Sequence, residues 1–212
     1  MLMYIMSFVA YSGVLAPWNI DGPEERAEHE DELDLANDML RAHGLPLHTE
    51  PVDVPKLQHK SMWFMGLGHV IHLQYACCRM FAGESARTPG VDEDCQALMQ
   101  PYRNGPAALS HLATQCAYGG IFLPMEFERP IPAFELVYGN IASTPRLISE
   151  LTRLAPLIGV DLQNGVLPEK EIQRLQRDKR GQPFDSEQSG WFHLWETANH
   201  SFKYKSALWF SG

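Results

Sequence analysis

The sequence predicts a single α/β or α+β domain in which several helices cover a mixed central sheet. Three observations lead to this prediction. Apolar strand-like segments stand near both ends of the chain, helical patterns fill much of the region between them, and 45% of the 212 residues are hydrophobic. Terminal strands that pair in one sheet leave the intervening helices to cover it. We therefore expect one globular domain over residues 1–212.

The first elements expected are a strand and an acidic helix. Tyr4–Ala10 is apolar enough to form a buried strand. The turn signal at 21–23, which ends in a proline, predicts a helix start, and Gly44 predicts its end, so that the acidic helix covers about 23–43. Prolines then favour an extended loop. Further helices are expected over Leu67–Phe81, near Asp94–Gln100 and over Pro106–Cys116.

The second half begins with a strand-like region at 119–137, where Pro124 indicates a sheet edge or a bulge. Thr144 as N-cap and Pro145 at the first position predict the next helix, with a core stripe of leucines. Two more helices are expected over 167–181 and about 191–202, the second with an apolar face from Trp191 to Phe202. The last element expected is a short strand at 206–211.

The cysteine pattern and the N-terminus predict a cytoplasmic protein. The four cysteines, Cys77, Cys78, Cys95 and Cys116, form no CxxC pair and no disulfide framework. A signal peptide starts with positive charge, whereas the first basic residue here is Arg26. The apolar runs fall short of the roughly 20 residues that span a membrane, so no membrane partner is expected.

Nearly all of the net charge lies in one segment. The chain has a formal charge of −9, and residues 21–38 contain nine acidic residues and one arginine, a charge of −8. Such a helix is either a hydrated surface without a partner or a docking surface that attracts a cationic protein. The basic stretch Lys170–Arg180 is diluted by Glu171 and Asp178, so we expect no nucleic acid binding.

The stretch "HVIHLQYACC" raises the question of a metal site. On a helix at about 100° per residue, His69 and His72 are neighbours, whereas Cys78 points to the other side. One zinc ion therefore cannot take all four side chains as ligands. We expect no metal and no cofactor, and the histidines are either ordinary polar residues or part of a partner-facing patch.

Known catalytic motifs are absent from the sequence. The GxSxG elbow, the Walker loop, GxGxxG and HExxH are not found. Glu126 and Glu128 would share one face of a strand and are the best pair of carboxylates for acid–base chemistry. An enzyme of unrecognised class, such as a hydrolase that uses these two residues with a histidine, is the alternative to a binding protein.

Three stretches carry a resemblance to known proteins. "GGIFLPMEF", "STPRLISELTRLAPLIG" and "WFHLWETANHSFKYKSALWF" are similar to patterns in a family of uncharacterised bacterial proteins, although Ile121 replaces the first aromatic residue of the family strand. The resemblance covers about the second half of the chain. It implies a bacterial cytosolic α/β protein and no particular reaction.

Together these observations favour a non-catalytic acidic binding protein. In overall character the chain resembles the immunity proteins of polymorphic-toxin and type VI secretion systems, which neutralise a cognate toxin. We expect the partner to be a toxin with a basic surface, such as a nuclease. The residues expected to contact it are Glu24, Glu25, Glu28, Asp31, Glu32, His69 and His72.

Overall fold

A computed structural model describes residues 7–57, 65–84, 95–104, 110–115, 119–133, 136, 139–177 and 182–211. The strands are β1 (Ser7–Ser12), β2 (Met65–Gly66), β3 (Gly119–Leu123), β4 (Ile131–Pro132), β5 (Asn140–Ser143) and β6 (Leu208–Ser211). The helices are α1 (Pro23–Ala42), α2 (Leu67–Phe81), α3 (Cys95–Asn104), α4 (Thr144–Leu154), α5 (Glu169–Leu175) and α6 (Asp185–Tyr204). A 3-10 turn, Ala155–Ile158, follows α4.

The described strands form one mixed sheet in the order β2-β1-β6-β3-β5-β4. Strands β3 and β5 pair in parallel, and the other neighbours pair antiparallel. The last strand of the chain, β6, therefore lies between β1 and β3 in the middle of the sheet. This arrangement confirms the predicted fold class of a mixed sheet with several helices.

The sheet separates two hydrophobic cores. Side chains alternate between the faces of a strand, so Leu208 packs into one core while its neighbour Trp209 packs into the other. The first core contains residues of α2, α4 and α6, and the second contains Leu33, Ala36 and Leu40 of α1. Helix α1 thus lies alone among the long helices on its face of the sheet, in the part of the chain that the structure describes.

The bounds of two predicted helices agree closely with the structure. Helix α1 matches the acidic helix expected at 23–43, and α2 has the bounds expected from the sequence. The predicted strand Tyr4–Ala10 is observed as β1, two residues further along, and residues 4–6 lie outside the described part. Helix α5 ends at Leu175, earlier than expected, and residues 178–181 are not described.

Other predictions were wrong in detail. The N-cap of α4 is Ser143 and not Thr144, because the Ser143 hydroxyl accepts a hydrogen bond from the Arg146 amide at 3.3 Å. Pro124 marks neither an edge nor a bulge. It follows the end of β3, an interior strand in which a residue without an N–H could not pair.

Two helix predictions also need correction. Residues 110–115 form turns rather than the helix expected over 106–116, whose remaining residues lie outside the described part. Phe202 was expected on the buried face of α6 but is 42% exposed, whereas Trp191 and Trp195 are buried.

Within the described residues, the structure contains no helix with the length and apolar character needed to cross a membrane.

Candidate functional site

The acidic helix α1 is held to the sheet by a narrow apolar face. Leu33, Ala36 and Leu40 are buried against the second core. The ring of His29 meets Trp209 of β6 edge-on, with 4.6 Å between ring centroids. Burial lowers the pKa of His29, against the opposing effect of the nearby acids Glu25 and Glu28, so the ring packs in its neutral form near pH 7. The opposite face of the helix is left to solvent.

The first turn of α1 uses one of the predicted partner residues for its own structure. Pro23 occupies the first turn, and an Oε of Glu25 accepts a hydrogen bond from the Asp21 amide at 2.6 Å. This contact resembles a capping box, in which a glutamate at the third position reaches back to the start of the helix. Glu25 therefore helps to close the helix N-terminus, and its side chain is less available to a partner.

The loop that follows α1 connects the C-terminal end of this helix to the strands through hydrogen bonds. Asn37 and the backbone of His48 form two hydrogen bonds, of 2.9 and 2.7 Å. The carboxylate of Glu50, which is almost fully buried, accepts hydrogen bonds from the amides of Val14 and Ala207 and contacts His48 Nε2 at 2.6 Å. These contacts fix the position of α1 relative to β1 and β6.

Four acids of α1 form what we call the anionic stripe. They are Glu24, Glu28, Asp31 and Asp34, all exposed. Their spacing of three or four residues places them along one side of the helix. Within the described residues, none of the four forms an ion pair. By contrast, Glu30 pairs with Arg26 and Asp38 pairs with Arg41. The stripe therefore carries charge that no described residue neutralises through an ion pair.

The charge of α1 approaches that of a DNA strand in density. The helix contains eight acidic and two basic residues, a net charge of −6 with His29 neutral. Its 20 residues span about 30 Å, which gives about one negative charge per 5 Å. A DNA strand carries one phosphate per about 3.4 Å of helix axis. A single protein helix thus presents roughly two-thirds of the charge density of a single DNA strand.

Glu32 lies beside the stripe and has an unusual protonation equilibrium. Its side chain is half-buried, and burial, followed by repulsion from Glu28, raises its pKa to about 7. Ionisation of Glu32 is disfavoured because its carboxyl group is partly removed from water and lies near the negative charge of Glu28. A cationic partner would supply the missing compensation and favour the ionised form of Glu32.

The structure does not bring His69 and His72 to the acidic surface. Both lie on α2, which belongs to the core on the opposite side of the sheet from α1. His72 Nδ1 is 3.7 Å from Glu187 of α6, and the His69 carbonyl lies close to Gly190 of the same helix. Burial, followed by the proximity of His72, lowers the pKa of His69. One flat interface therefore cannot include both the histidines and the stripe.

The alternative catalytic pair is not arranged as the sequence suggested. Glu126 and Glu128 follow β3 in a bend instead of sharing a strand face, and both are exposed. The carboxylate of Glu126 pairs with Arg146 at 2.5 Å. The nearest histidine contact is from His111 Nε2 to the backbone oxygen of Glu128, at 3.2 Å, and involves neither carboxylate. This geometry does not form the acid–base site that a hydrolase would need.

The cysteines likewise offer no reactive site in the described residues. Cys77 and Cys78 are free and fully buried. Burial, together with the nearby Glu150, raises the pKa of the Cys77 thiol well above its usual range, which keeps it protonated. Cys95 lies in α3 and Cys116 lies outside the described residues. Among the residues described, no cluster of three or more His, Cys, Asp or Glu side chains is placed to hold a metal ion.

Sequence reasoning missed a buried carboxylate network around Glu150 of α4. Its oxygens accept hydrogen bonds from the amides of His111 and Leu112, at 2.7 and 3.0 Å, and from the Ser110 hydroxyl at 3.0 Å. Burial raises the pKa of Glu150 to about 7, although these three hydrogen bonds oppose the rise. The network holds the turn at 110–115 against α4. Its enclosed position indicates a structural role.

His111 in the same turn is buried in its neutral form. Its Nδ1 accepts a hydrogen bond from the Ser143 amide at 2.9 Å, so the ring proton sits on Nε2 and points to the Glu128 oxygen. Burial lowers the pKa of His111 to about 4. The ring thereby connects the turn at 110–115 to the start of α4 and to the bend after β3.

Comparison with known families matches residues 9–210 to the family described as "Putative DNA-mimic protein". No curated protein and no solved structure matches the chain. The match overturns the partner expected from the sequence. A DNA mimic has a DNA-binding protein as its counterpart, so the expected toxin partner, and the expectation that nucleic acid recognition plays no part, were wrong. The match covers almost the whole chain, and the protein is therefore an acidic binding protein that belongs to this DNA-mimic family.

Proposed function

We propose that the protein binds the DNA-contacting surface of a DNA-binding protein through α1 and competes with DNA for that surface. The observation that carries the proposal is the anionic stripe, four exposed carboxylates on one side of a helix that form no ion pair with any residue the structure describes. The family match supports the same conclusion. The anchoring of α1 by Asn37, His48 and Glu50 presents the stripe in a fixed position.

The proposed mechanism is electrostatic substitution. DNA-binding proteins hold phosphates with lysine and arginine side chains, and this contribution does not depend on base sequence. Carboxylates at the spacing of the stripe offer the same cationic side chains an alternative set of partners. A preformed helix loses little conformational entropy on binding, which favours the complex. The acids also steer a basic surface toward α1 before contact.

A cytoplasmic location is part of this proposal. Free thiols such as Cys77 and Cys78 persist in a reducing compartment, where a protein that acts on cellular DNA is also accessible.

The test begins with capture of the partner on immobilised wild-type protein from a nuclease-treated lysate of the native cells. Two variants with the same change in net charge are used beside it. In the stripe variant, Glu24, Glu28 and Asp31 are replaced by lysine. In the scattered variant, three exposed acids elsewhere, Glu128, Asp161 and Glu169, are replaced by lysine.

The proposal predicts that a DNA-binding protein is retained by the wild-type and scattered proteins and lost from the stripe variant. Retention should weaken as salt rises, because surface ion pairs are screened. Equal retention by the stripe and scattered variants would refute a role for α1. A retained partner without DNA-binding activity would refute DNA mimicry itself.

A further inference from the structure

A cavity lies at the end of the molecule formed by α6, α5 and the loop that follows α1. It has a volume of about 480 Å³, within the range of roughly 300–1,000 Å³ typical of small-molecule sites. Its apolar lining comprises Leu57, Val166, Leu167, Ile172 and Trp195. Neither the anionic stripe nor the buried Glu150 network contributes to this lining.

The polar part of the lining is cationic, in contrast to the chain as a whole. Lys56 and Lys203 both line the cavity, and neither forms an ion pair with a residue that the structure describes. Their ammonium groups lie 6.0 Å from the Trp18 ring and 5.0 Å from the Tyr204 ring, respectively. In a protein of formal charge −9, two lysines at one cavity that pair with no acid among the described residues are a local exception that favours an anion.

Several of the other polar groups of the cavity already have partners within the protein. Asn199 donates a hydrogen bond to the Trp195 carbonyl in its own helix, and Glu196 also has a partner. His200 Nδ1 contacts the Ser12 hydroxyl at 2.5 Å, and burial lowers the pKa of this ring. The two lysines are therefore the groups most available to a ligand, while Glu196 restricts where its negative charge can sit.

One wall of the cavity is held firmly in place. Pro55, Lys56 and Leu57 belong to the loop that is fixed by Glu50 at the strand ends. The indole of Trp18 donates a hydrogen bond to the Val54 carbonyl at 2.8 Å, which secures the loop immediately before this wall. On the opposite wall, Trp195 stacks on Trp191 with ring centroids 5.0 Å apart. A preformed apolar site of this kind binds ligands with little reorganisation.

We propose that this cavity is a binding site for a small organic anion with an apolar body, such as an aromatic carboxylate. The apolar body packs against Trp195 and the aliphatic walls, and the carboxylate meets Lys56 and Lys203. This site is separate from the proposed DNA mimicry, so either conclusion can fail without the other.

The probe pair for the test is 1-naphthoate and 1-naphthalenemethanol, which share an aromatic body and differ in charge. Binding is followed by the shift of the Trp195 indole N–H resonance, since this residue belongs to the cavity lining. We expect saturable binding of naphthoate at least about tenfold tighter than that of the alcohol, as charge-assisted hydrogen bonds provide.

The variant Lys56→Gln/Lys203→Gln should reduce naphthoate affinity to that of the alcohol and leave the alcohol unaffected. Lys170→Gln, an exposed lysine outside the lining, is the control and should leave both affinities unchanged. Absence of saturable naphthoate binding, equal affinity for the two probes, or equal effects of the cavity and control variants would each overturn the proposal.

Discussion

Asn37 of α1 and the backbone of His48 are joined by a reciprocal pair of hydrogen bonds, one donated by the asparagine amide and one accepted by its oxygen. The His48 ring continues the connection to Glu50, whose carboxylate also accepts the Ala207 amide just before β6. The charged helix is thus linked through one loop to the middle of the sheet. This link explains how a helix with a narrow apolar face keeps a defined position.

We expect Asn37→Ala to destabilise the protein by about 1–3 kcal/mol, because the substitution leaves two backbone groups of His48 without their partner. Chemical denaturation measures the change. Asn199→Ala is the control, since Asn199 is exposed and bonds only within its own helix, and its effect should stay within about 0.5 kcal/mol. Equal losses in the two variants would contradict the anchoring role of Asn37.

The apolar face of α1 gives a second prediction. Leu40 is fully buried, so Leu40→Ala should cost about 2–5 kcal/mol through lost burial and the cavity left behind. Leu47, in the following loop, is 51% exposed, and Leu47→Ala should change stability by less than about 0.5 kcal/mol. Thermal and urea unfolding compare the two. A small effect of Leu40→Ala would show that α1 is not docked on the sheet as described.

His111 makes stability depend on pH with a defined sign. Its pKa is about 4 in the folded protein and 6.5 in the reference state, so the unfolded chain binds more protons between these values. The contribution of neutral His111 to the free energy of unfolding is fully present above pH 6.5. It falls by about 3 kcal/mol as the pH drops to 4. Glu32 and Glu150, with pKa values raised to about 7, act in the opposite direction between pH 7 and 4.5.

The variant His111→Asn isolates the histidine contribution, because asparagine can still accept the Ser143 amide but does not titrate. Urea denaturation from pH 4.5 to 7.5 should show that the stability of the wild type relative to the variant decreases on acidification, whatever the glutamates contribute to both proteins. The same pH dependence in both proteins would exclude a neutral buried His111.

Glu32 gives a prediction about the acidic surface itself. Its side-chain carboxyl resonance should titrate near pH 7 in the wild type. Glu28→Gln removes the nearby negative charge and should lower the pKa of Glu32, which remains above 4.5 because burial is unchanged. Glu24→Gln, about two turns from Glu32, is the control and should have a smaller effect. A titration of Glu32 near 4.5 would rule out the crowding of acids described for α1.

Much of this architecture could be predicted from local sequence. The proline at 23 and the glycine at 44 determine the ends of α1, and apolar residues at spacings of three and four identify its buried face. The concentration of negative charge in α1 was also evident from the sequence. What the sequence does not show is that β6 lies in the middle of the sheet, since strand order depends on long-range pairing. The sequence also does not show that α1 and α2 pack on opposite faces of the sheet, which separates His69 and His72 from the acidic helix.

The Glu150 network was missed for a similar reason. Its hydrogen-bond donors are mainly backbone amides about 40 residues earlier in the chain, and no side-chain pattern indicates them. The partner could not be identified from charge either. A basic toxin and a DNA-binding protein both present lysine and arginine side chains, so an acidic helix fits the two equally well. The family match favours the DNA-binding protein, which is the partner we propose.

The central claim is tested most directly by displacement of DNA. A fluorescently labelled DNA duplex is bound to the DNA-binding protein captured by the wild type, and its anisotropy is followed as the acidic protein is added. We predict that the wild type and the scattered variant release the DNA. The stripe variant should require at least about tenfold more protein, because its lysines repel the cationic surface that the stripe acids attract. Anisotropy that stays high or rises with added wild-type protein would show that both ligands bind together, and would contradict DNA mimicry by α1.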